Sequence, residues 1–576
     1  MNGKALPRHP NLEQYKKQTK ELVKLRRALL SGTTEATARH VERFFKMVQQ
    51  FHPKYRRQTT ERIREEKFAL SDAQVVLARQ HGFESWPKFA RHIEALQRGA
   101  SGQAQEDPAA AFIRAACTSP GVDHGSGTLE EAQAVLKAHP EVAGSSIYTA
   151  AILGDAAGVR RFLGGAKDPS ELAISRGGFY HWDALTYLCF SRFLRMTRND
   201  AARSKGFVDT ARLLLDAGAM ADTGWWEENN EPVPFFESAI YGAAAVAQHP
   251  ELTRLLLEHW ADPNDEETPY HAAEGYDHAV LRVLLESGKL NEFSLTTLLL
   301  RKGDWHDVKG MKLVLEAGAN PNSATHWGRT PVQHTILRDN YVDNIALQLD
   351  YWPHVATESG RKPAAENVRH GESMAWIAAR RGRGDVLELL EQRGFAVELA
   401  GAQGLIAACA KSDAVRVQTI VAREPELVRE LVAYGGVLLA DFAGNGNVDG
   451  MRLLLELGVD VAAPNPIGDG YFDVAKGGTA LHNAAWRARH GAVRLLLERG
   501  TPVNALDRKG RSALMLAVKA CVDSYWTDRR SPESVAMLLE AGAKTSGVEV
   551  PCGYAEADAL LVAVRQRERE ANFLRE

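Results

Sequence analysis

Histidine and cysteine are the first residues to place in this 576-residue chain, because they carry most metal and nucleophilic chemistry. The 19 histidines are scattered. His306, His326 and His334 would converge only if the fold happened to bring three separate segments together. No HExxH is present, so no helix face offers two imidazoles with a glutamate between them. Cys117, Cys189, Cys409, Cys521 and Cys552 are odd in number, widely spaced and form no CxxC. That usage points to free thiols in a reducing cytosol rather than to disulfides or a zinc site. There is no GxSxG to expose a serine nucleophile and no GxxxxGK[ST] to cradle a phosphate chain. Gly444-Asn445-Gly446-Asn447-Val448-Asp449-Gly450 is glycine-rich, but its third glycine falls one place too late for GxGxxG. The spacing provides no catalytic set, and no metal or cofactor is expected.

The chemistry-poor pattern belongs to a repeat. Thr479-Ala480-Leu481-His482-Asn483-Ala484-Ala485 is followed by Gly491-Ala492-Val493-Arg494-Leu495-Leu496-Leu497-Glu498-Arg499-Gly500. Ala480-Leu481 returns as Ala513-Leu514, 33 positions later, and Leu496 to Gly500 returns as Leu538 to Gly542, 42 positions later. The excess is a polar stretch around Tyr525-Trp526-Thr527-Asp528-Arg529-Arg530. Thr479 suits an N-cap; Leu481, Ala484 and Ala485 fall at helical spacing; Val493, Leu496 and Leu497 give a second helix its apolar stripe. Gly500 stands where the chain must leave that helix. Such a pair cannot bury its own apolar face and must stack on neighbours.

This wording resembles the ankyrin repeat. Helix endings of the same type recur at 213–218, 255–260, 283–288, 313–318, 387–394 and 453–458, and Thr268-Pro269-Tyr270-His271 and Thr330-Pro331-Val332-Gln333-His334 resemble helix starts. Roughly ten to twelve units are expected. The resemblance implies an all-α solenoid of helix pairs joined by short extended turns. It also implies that His271 and His482 bond the threonine hydroxyl of their own units, and that the glycines at 444–450 and Arg383-Gly384-Asp385 are turns between paired helices. Trp260 stands where other units have glycine. A left-handed residue there costs about 1–2 kcal/mol, so that turn is expected to differ in shape.

Residues 1–98 read as a separate, basic helical domain, with sixteen Lys/Arg against seven Asp/Glu over residues 8–67 in a chain of net charge −3. Helices are expected over 12–30 and 35–51, within 68–79 with Ser71 or Asp72 as cap, and after the turn at Trp86-Pro87 as far as Leu96. Similar wording precedes ankyrin arrays in a group of bacterial proteins, which the whole chain resembles. Residues 99–107 read as a linker, 108–554 as the array, and 555–576 as a closing helix. No apolar run is long enough for a membrane span and the N-terminus lacks the apolar core of a signal peptide, which favours a cytoplasmic protein.

Several units carry long, aromatic-rich insertions, and loops on a rigid scaffold are where binding residues concentrate. Trp225, Trp226, Trp305, Trp327 and Trp526 are the candidate partner anchors, with Asp507, Arg508 and Lys509 at a turn tip. The bland alternative is that these rings pack their own loops down. The sequence supports a non-catalytic scaffold or adaptor that binds a protein partner. The alternative is a regulator that binds nucleic acid or an anionic surface through its basic head.

Overall fold

The computed structural model describes residues 12–31, 38–56, 58–99, 107–118, 127–227, 235–325, 327–352, 372–524 and 526–573. The described chain is all-α but for one short ribbon, and divides into two compact units, 1–301 and 302–576. Most of the expected linker lies outside the described residues. Asp107 at its end caps the helix Pro108–Ala116, accepting from the Ala110 N–H.

In the first unit the basic head forms helices Leu12–Ser31, Ala38–Phe51, Thr60–Glu65, Leu70–Gln80 and Trp86–Gly99. The second stops at Phe51, two residues before Pro53, whose ring disfavours helix in the residue preceding it. Thr60–Glu65 was not legible in the sequence; the Thr59 hydroxyl caps it by accepting from the Arg62 N–H. Phe44, Val48, Phe51, Tyr55 and Ile63 form its core. Arg26 is buried with them, its Nη2 donating to the carbonyls of Ile63 and Arg64 at 2.8 and 2.6 Å. That part of the basic surplus holds the head together.

The head shares its core with a segment far along the chain. Gly224–Trp226 pairs antiparallel with Phe236–Ser238, and successive side chains of a strand point to opposite faces. Trp225 therefore turns into the repeat core, stacked on Trp182 at 5.3 Å. Trp226 turns into the head, 6.0 Å from Phe51. Gly224 permits the pairing, since a Cβ there would stand 2.2 Å from the Glu237 carbonyl oxygen.

Elsewhere both units are helix pairs, each packed on the next. Ala480–Trp486 and His490–Glu498 show the design: Leu481, Ala484 and Ala485 on the first helix and Val493, Leu495 and Leu496 on the second are buried. Thr330 closes a capping box with Gln333, its N–H donating to Gln333 Oε1 at 2.8 Å and its hydroxyl accepting from the Gln333 N–H at 3.3 Å. The residue linking paired helices is left-handed: Gly382 and Gly446 in two units, but Asp339, Ser412 and Ala488 in others. The chain ends, among the described residues, in the helix Ala555–Phe573.

Trp260 does not behave as expected. Its φ is +70°, so the turn keeps the left-handed shape its neighbours reach with glycine. The side chain is 81% exposed, with the Lys289 ammonium 4.7 Å from its ring. Because the ring stands in solvent, nothing forces the backbone out of the left-handed well.

Candidate binding surface

Two neighbouring turns in the second unit each present a large apolar side chain outward beside a regular repeat. After the helix Val448–Glu456 an inserted segment leaves the array and returns, its ends bridged at Pro464 and Thr479. Asp469 and Val474 bridge again inside it. At 506–512 the next turn is bridged at Leu506 and Ser512. Ile467 on the first is 64% exposed and Leu506 on the second 60%.

The second turn is braced from within. Asp507 Oδ1 accepts from the N–H groups of Lys509 and Arg511, both at 2.9 Å, and Oδ2 accepts from Arg511 Nε at 2.9 Å. An aspartate that bonds the backbone two residues on is a standard turn former. Asp507, only 6% exposed, is thus an inward brace rather than the contact residue expected from the sequence, while Arg508 and Lys509 face outward. The two turns are tied together. Arg508 N–H donates to the Lys476 carbonyl, and Asp473 pairs with Lys509, Arg511 and Lys519. The hydrogen bond from Lys509, backed by Arg511, holds the Asp473 carboxyl down at about 2.

Beneath these turns the aromatic insertions fold inward. Trp526, expected as an anchor, is 1% exposed and packs with Phe472, Val474, Trp486, Leu516 and Ala520. Trp225 and Trp226, at 3% and 5%, are likewise interior. The physical reason is area: each ring buries ~150–250 Å² of largely apolar surface, which long loops over a narrow stack cannot leave in water. Trp305 and Trp327 are half-buried.

Below this satellite core runs a ladder of buried charge at the C-terminal ends of first helices. Asp339 takes Arg381 and Arg487, and also accepts from Asn445 Nδ2 at 2.9 Å. Arg381 reaches on to Asp441 at 3.0 Å, and Arg487 to Asp469 at 3.4 Å. Arg487 also lies 4.4 Å from the Phe472 ring centroid. Burial would raise the Asp339 carboxyl, but the two guanidiniums outweigh it and hold it well below the usual carboxylate range. For Asp441, burial outweighs Arg381 and the carboxyl moves up. The ladder therefore centres on Asp339. Asp304, in the same unit, holds His334 Nε2 at 2.8 Å and Arg338 Nε at 2.9 Å.

His482 takes the role that the resemblance implies. His482 Nδ1 lies 3.1 Å from the Thr479 hydroxyl, and its Nε2 3.1 Å from the Arg511 carbonyl. His271 departs from the expected role. Its Nδ1 pairs with Glu274 at 3.0 Å and its Nε2 with Glu267 at 3.2 Å, while the Thr268 hydroxyl donates to Asp265. Burial opposes its charge, but the two glutamates prevail and raise it to about 9. His306 lies edge-on to Trp526 at 5.5 Å, and burial pushes it down to about 4. His326 lies outside the described residues. Among those described, no three His, Cys, Asp or Glu side chains gather as a metal site, and the five cysteines are unpaired, four of them buried. No described helix is long and apolar enough to cross a membrane.

Comparison with known proteins matches residues 439–547 to the family model for ankyrin repeats, in three copies. No curated protein matches the chain. Solved structures similar to it include the ankyrin repeat domain of Bcl-3, a member of the IkappaB family, at 16% identity over 42% of this chain and 97% of that one, TM-score 0.19. Another is the human ASB11 ankyrin repeat domain, at 19% identity over 43% and 98%, TM-score 0.18. With scores this low, the fold rests on the repeats themselves.

Proposed function

We propose that this chain, whose residues 439–547 match ankyrin repeats, is a non-catalytic scaffold whose second unit binds a protein partner through the paired turn tips at 464–478 and 506–512. One observation carries the reading. Ile467 and Leu506 stand well over half exposed on turns that Asp507 and Asp473 brace against the array, with Arg508 and Lys509 beside them. Large apolar side chains on a rigid frame with charged neighbours make an anchor-and-rim surface whose ordering cost is already met before binding. Half-buried Trp305 and Trp327 remain proposed secondary contacts.

The test is capture of a partner from cell lysate, after nuclease, by the full chain and by its Ile467→Asp/Leu506→Asp variant. The reading expects a defined protein that the parent retains and the variant loses, with both unfolding at the same temperature. Equal retention by both would remove the turn tips from the interface.

A further inference from the structure

A second feature of the same unit goes beyond partner binding. A cavity of about 450 Å³ opens where second helices begin, lined by Tyr341 and Val342, by Gly382 to Asp385, by Gly446 and Asn447, and by Arg489 and Arg529. That volume falls in the ~300–1,000 Å³ range of small-ligand sites. Three guanidiniums face it, and they are differently occupied. Arg383 is held by both oxygens of Asp385, at 2.8 and 2.7 Å, and by the Asn340 carbonyl at 2.7 Å. Among the described residues the Arg489 side chain makes one hydrogen bond, from Nε to the Gly444 carbonyl at 3.1 Å, and meets no carboxylate. Arg529 lies over the rings of Tyr341 and Trp526, at 5.1 and 5.5 Å from their centroids, and its side chain likewise meets no carboxylate there; Nη1 is buried without a hydrogen bond.

The surroundings favour negative charge. The helices Val342–Asp350, Gly384–Gln392 and His490–Glu498 all start at this wall, and their N-cap residues Tyr341, Arg383 and Arg489 supply no side-chain cap. Their positive dipole ends therefore add to the arginines. Of the acidic groups lining the cavity, Asp339 is committed to Arg381 and Arg487, and Asp385 to Arg383. Asp343 and Glu388 are exposed at the rim. Lys411, also lining, is paired with Glu391. Burial, then the like charge of Arg529, pulls the Arg489 pKa down to about 9, which still leaves it cationic at neutral pH. Arg529 is lowered too, chiefly by burial; Tyr341 and Asp528 oppose the shift, and Arg383 and Arg487 add repulsion. Converging guanidiniums at a half-buried wall are an arrangement that an anion would relieve.

We propose that this cavity is an oxyanion site, built by Arg489 and Arg529 with Arg383 behind them, for a phosphate monoester or inorganic phosphate. A carboxylate has two oxygens and fills one guanidinium fork, whereas a tetrahedral phosphate can accept from several forks at once. The cavity is larger than a phosphate ion and leaves room for the group that carries it.

The experiment uses the full chain and inorganic phosphate, read by calorimetric titration and by 31P line broadening, with chloride at matched ionic strength as control. Parent protein is expected to bind phosphate saturably, one site per chain. Arg489→Gln/Arg529→Gln should weaken it at least tenfold, and Arg489→Lys/Arg529→Lys, which keeps charge but loses the forks, should fall between. Arg254→Gln, remote in sequence and exposed, should bind as the parent does. Circular dichroism and the unfolding temperature establish that each variant is folded; should the glutamine pair not fold, the lysine pair carries the test. A second arm titrates a phosphoserine peptide. Tighter binding than inorganic phosphate, lost in the same variants, places the phosphate on a protein; binding of inorganic phosphate alone makes the ligand a small phosphate. Absence of saturable phosphate binding by the parent, or equal binding by parent and glutamine variant, overturns the assignment.

Discussion

Replacing Asp339 with asparagine isolates the charge at the centre of the buried ladder. Asp339 sits at φ +53°, a left-handed position that asparagine tolerates nearly as well as aspartate, so the backbone has no reason to move. What changes is the field around Arg381 and Arg487, whose side chains are 5% and 0% exposed. Removing one partner of a buried pair costs ~3–5 kcal/mol, because the charge left behind is not rehydrated. Here Arg381 keeps Asp441 at 3.0 Å and Arg487 keeps Asp469 at 3.4 Å, so the lower end, about 3 kcal/mol, is expected. Against a typical total of ~5–15 kcal/mol that is a large fraction. Urea unfolding of the full chain measures it. Asp339→Asn/Arg487→Met should recover part of the loss, because the stranded charge is removed with its partner. The pH dependence has a definite sign. A carboxyl held below its unfolded value contributes stability above that value and loses it as pH falls. The parent should therefore weaken more steeply below about pH 4 than the asparagine variant. A change under 1 kcal/mol for Asp339→Asn would refute the ladder as a stabilising element.

Three further outcomes follow from other sites. His271, raised to about 9, stabilises the first unit fully below its unfolded value of ~6.5 and loses that contribution as pH rises through the folded value; unfolding temperatures from pH 6 to 10 should fall more for the parent than for His271→Gln. Trp260→Gly relieves a left-handed tryptophan costing about 1–2 kcal/mol. It loses roughly 0.5–1 kcal/mol to the freer unfolded chain, so a small net gain in urea resistance is expected, and a loss above 1 kcal/mol would mean the ring packs. Trp226→Ala should open the head: proteolysis within residues 12–99 accelerates, while unfolding of residues 302–576 keeps its midpoint. Equal protection of parent and variant would show that Phe44, Phe51 and Tyr55 hold the head without it.

The repeat was legible because each unit writes its own signals locally. Thr330 with Gln333 announces a helix start, and Leu453-Leu454-Leu455 or Leu495-Leu496-Leu497 marks a buried second helix. The insertions were legible as insertions, but not their direction. Whether Trp526 points to a partner or to Phe472 depends on how a loop from one unit meets a loop from another, and no spacing encodes that. The ladder was hidden for the same reason: Asp339 and Arg487 are 148 residues apart, and only stacking brings them together. Trp225 and Trp226 are adjacent in sequence yet serve different cores, which follows from strand alternation once the segment is known to be a strand. Without the pairing to 236–238 it reads as an aromatic-rich inserted loop. His271 misled because its Thr-Pro-Tyr-His wording is right, while the nearby Glu267 and Glu274 take the ring. The exposed residues proposed as anchors, Ile467 and Leu506, carried no signal beyond being apolar in turns.

The most direct test of the account places a photo-crosslinking amino acid at Ile467, at Leu506 and, as control, at Val415, which is 75% exposed on the helix Ala414–Arg423. Irradiation in cells followed by mass spectrometry identifies what each position touches. The account predicts that 467 and 506 crosslink to the same protein and that 415 does not. Crosslinks of equal yield from all three, or none from the turn tips while Trp305 or Trp327 gives one, would contradict it.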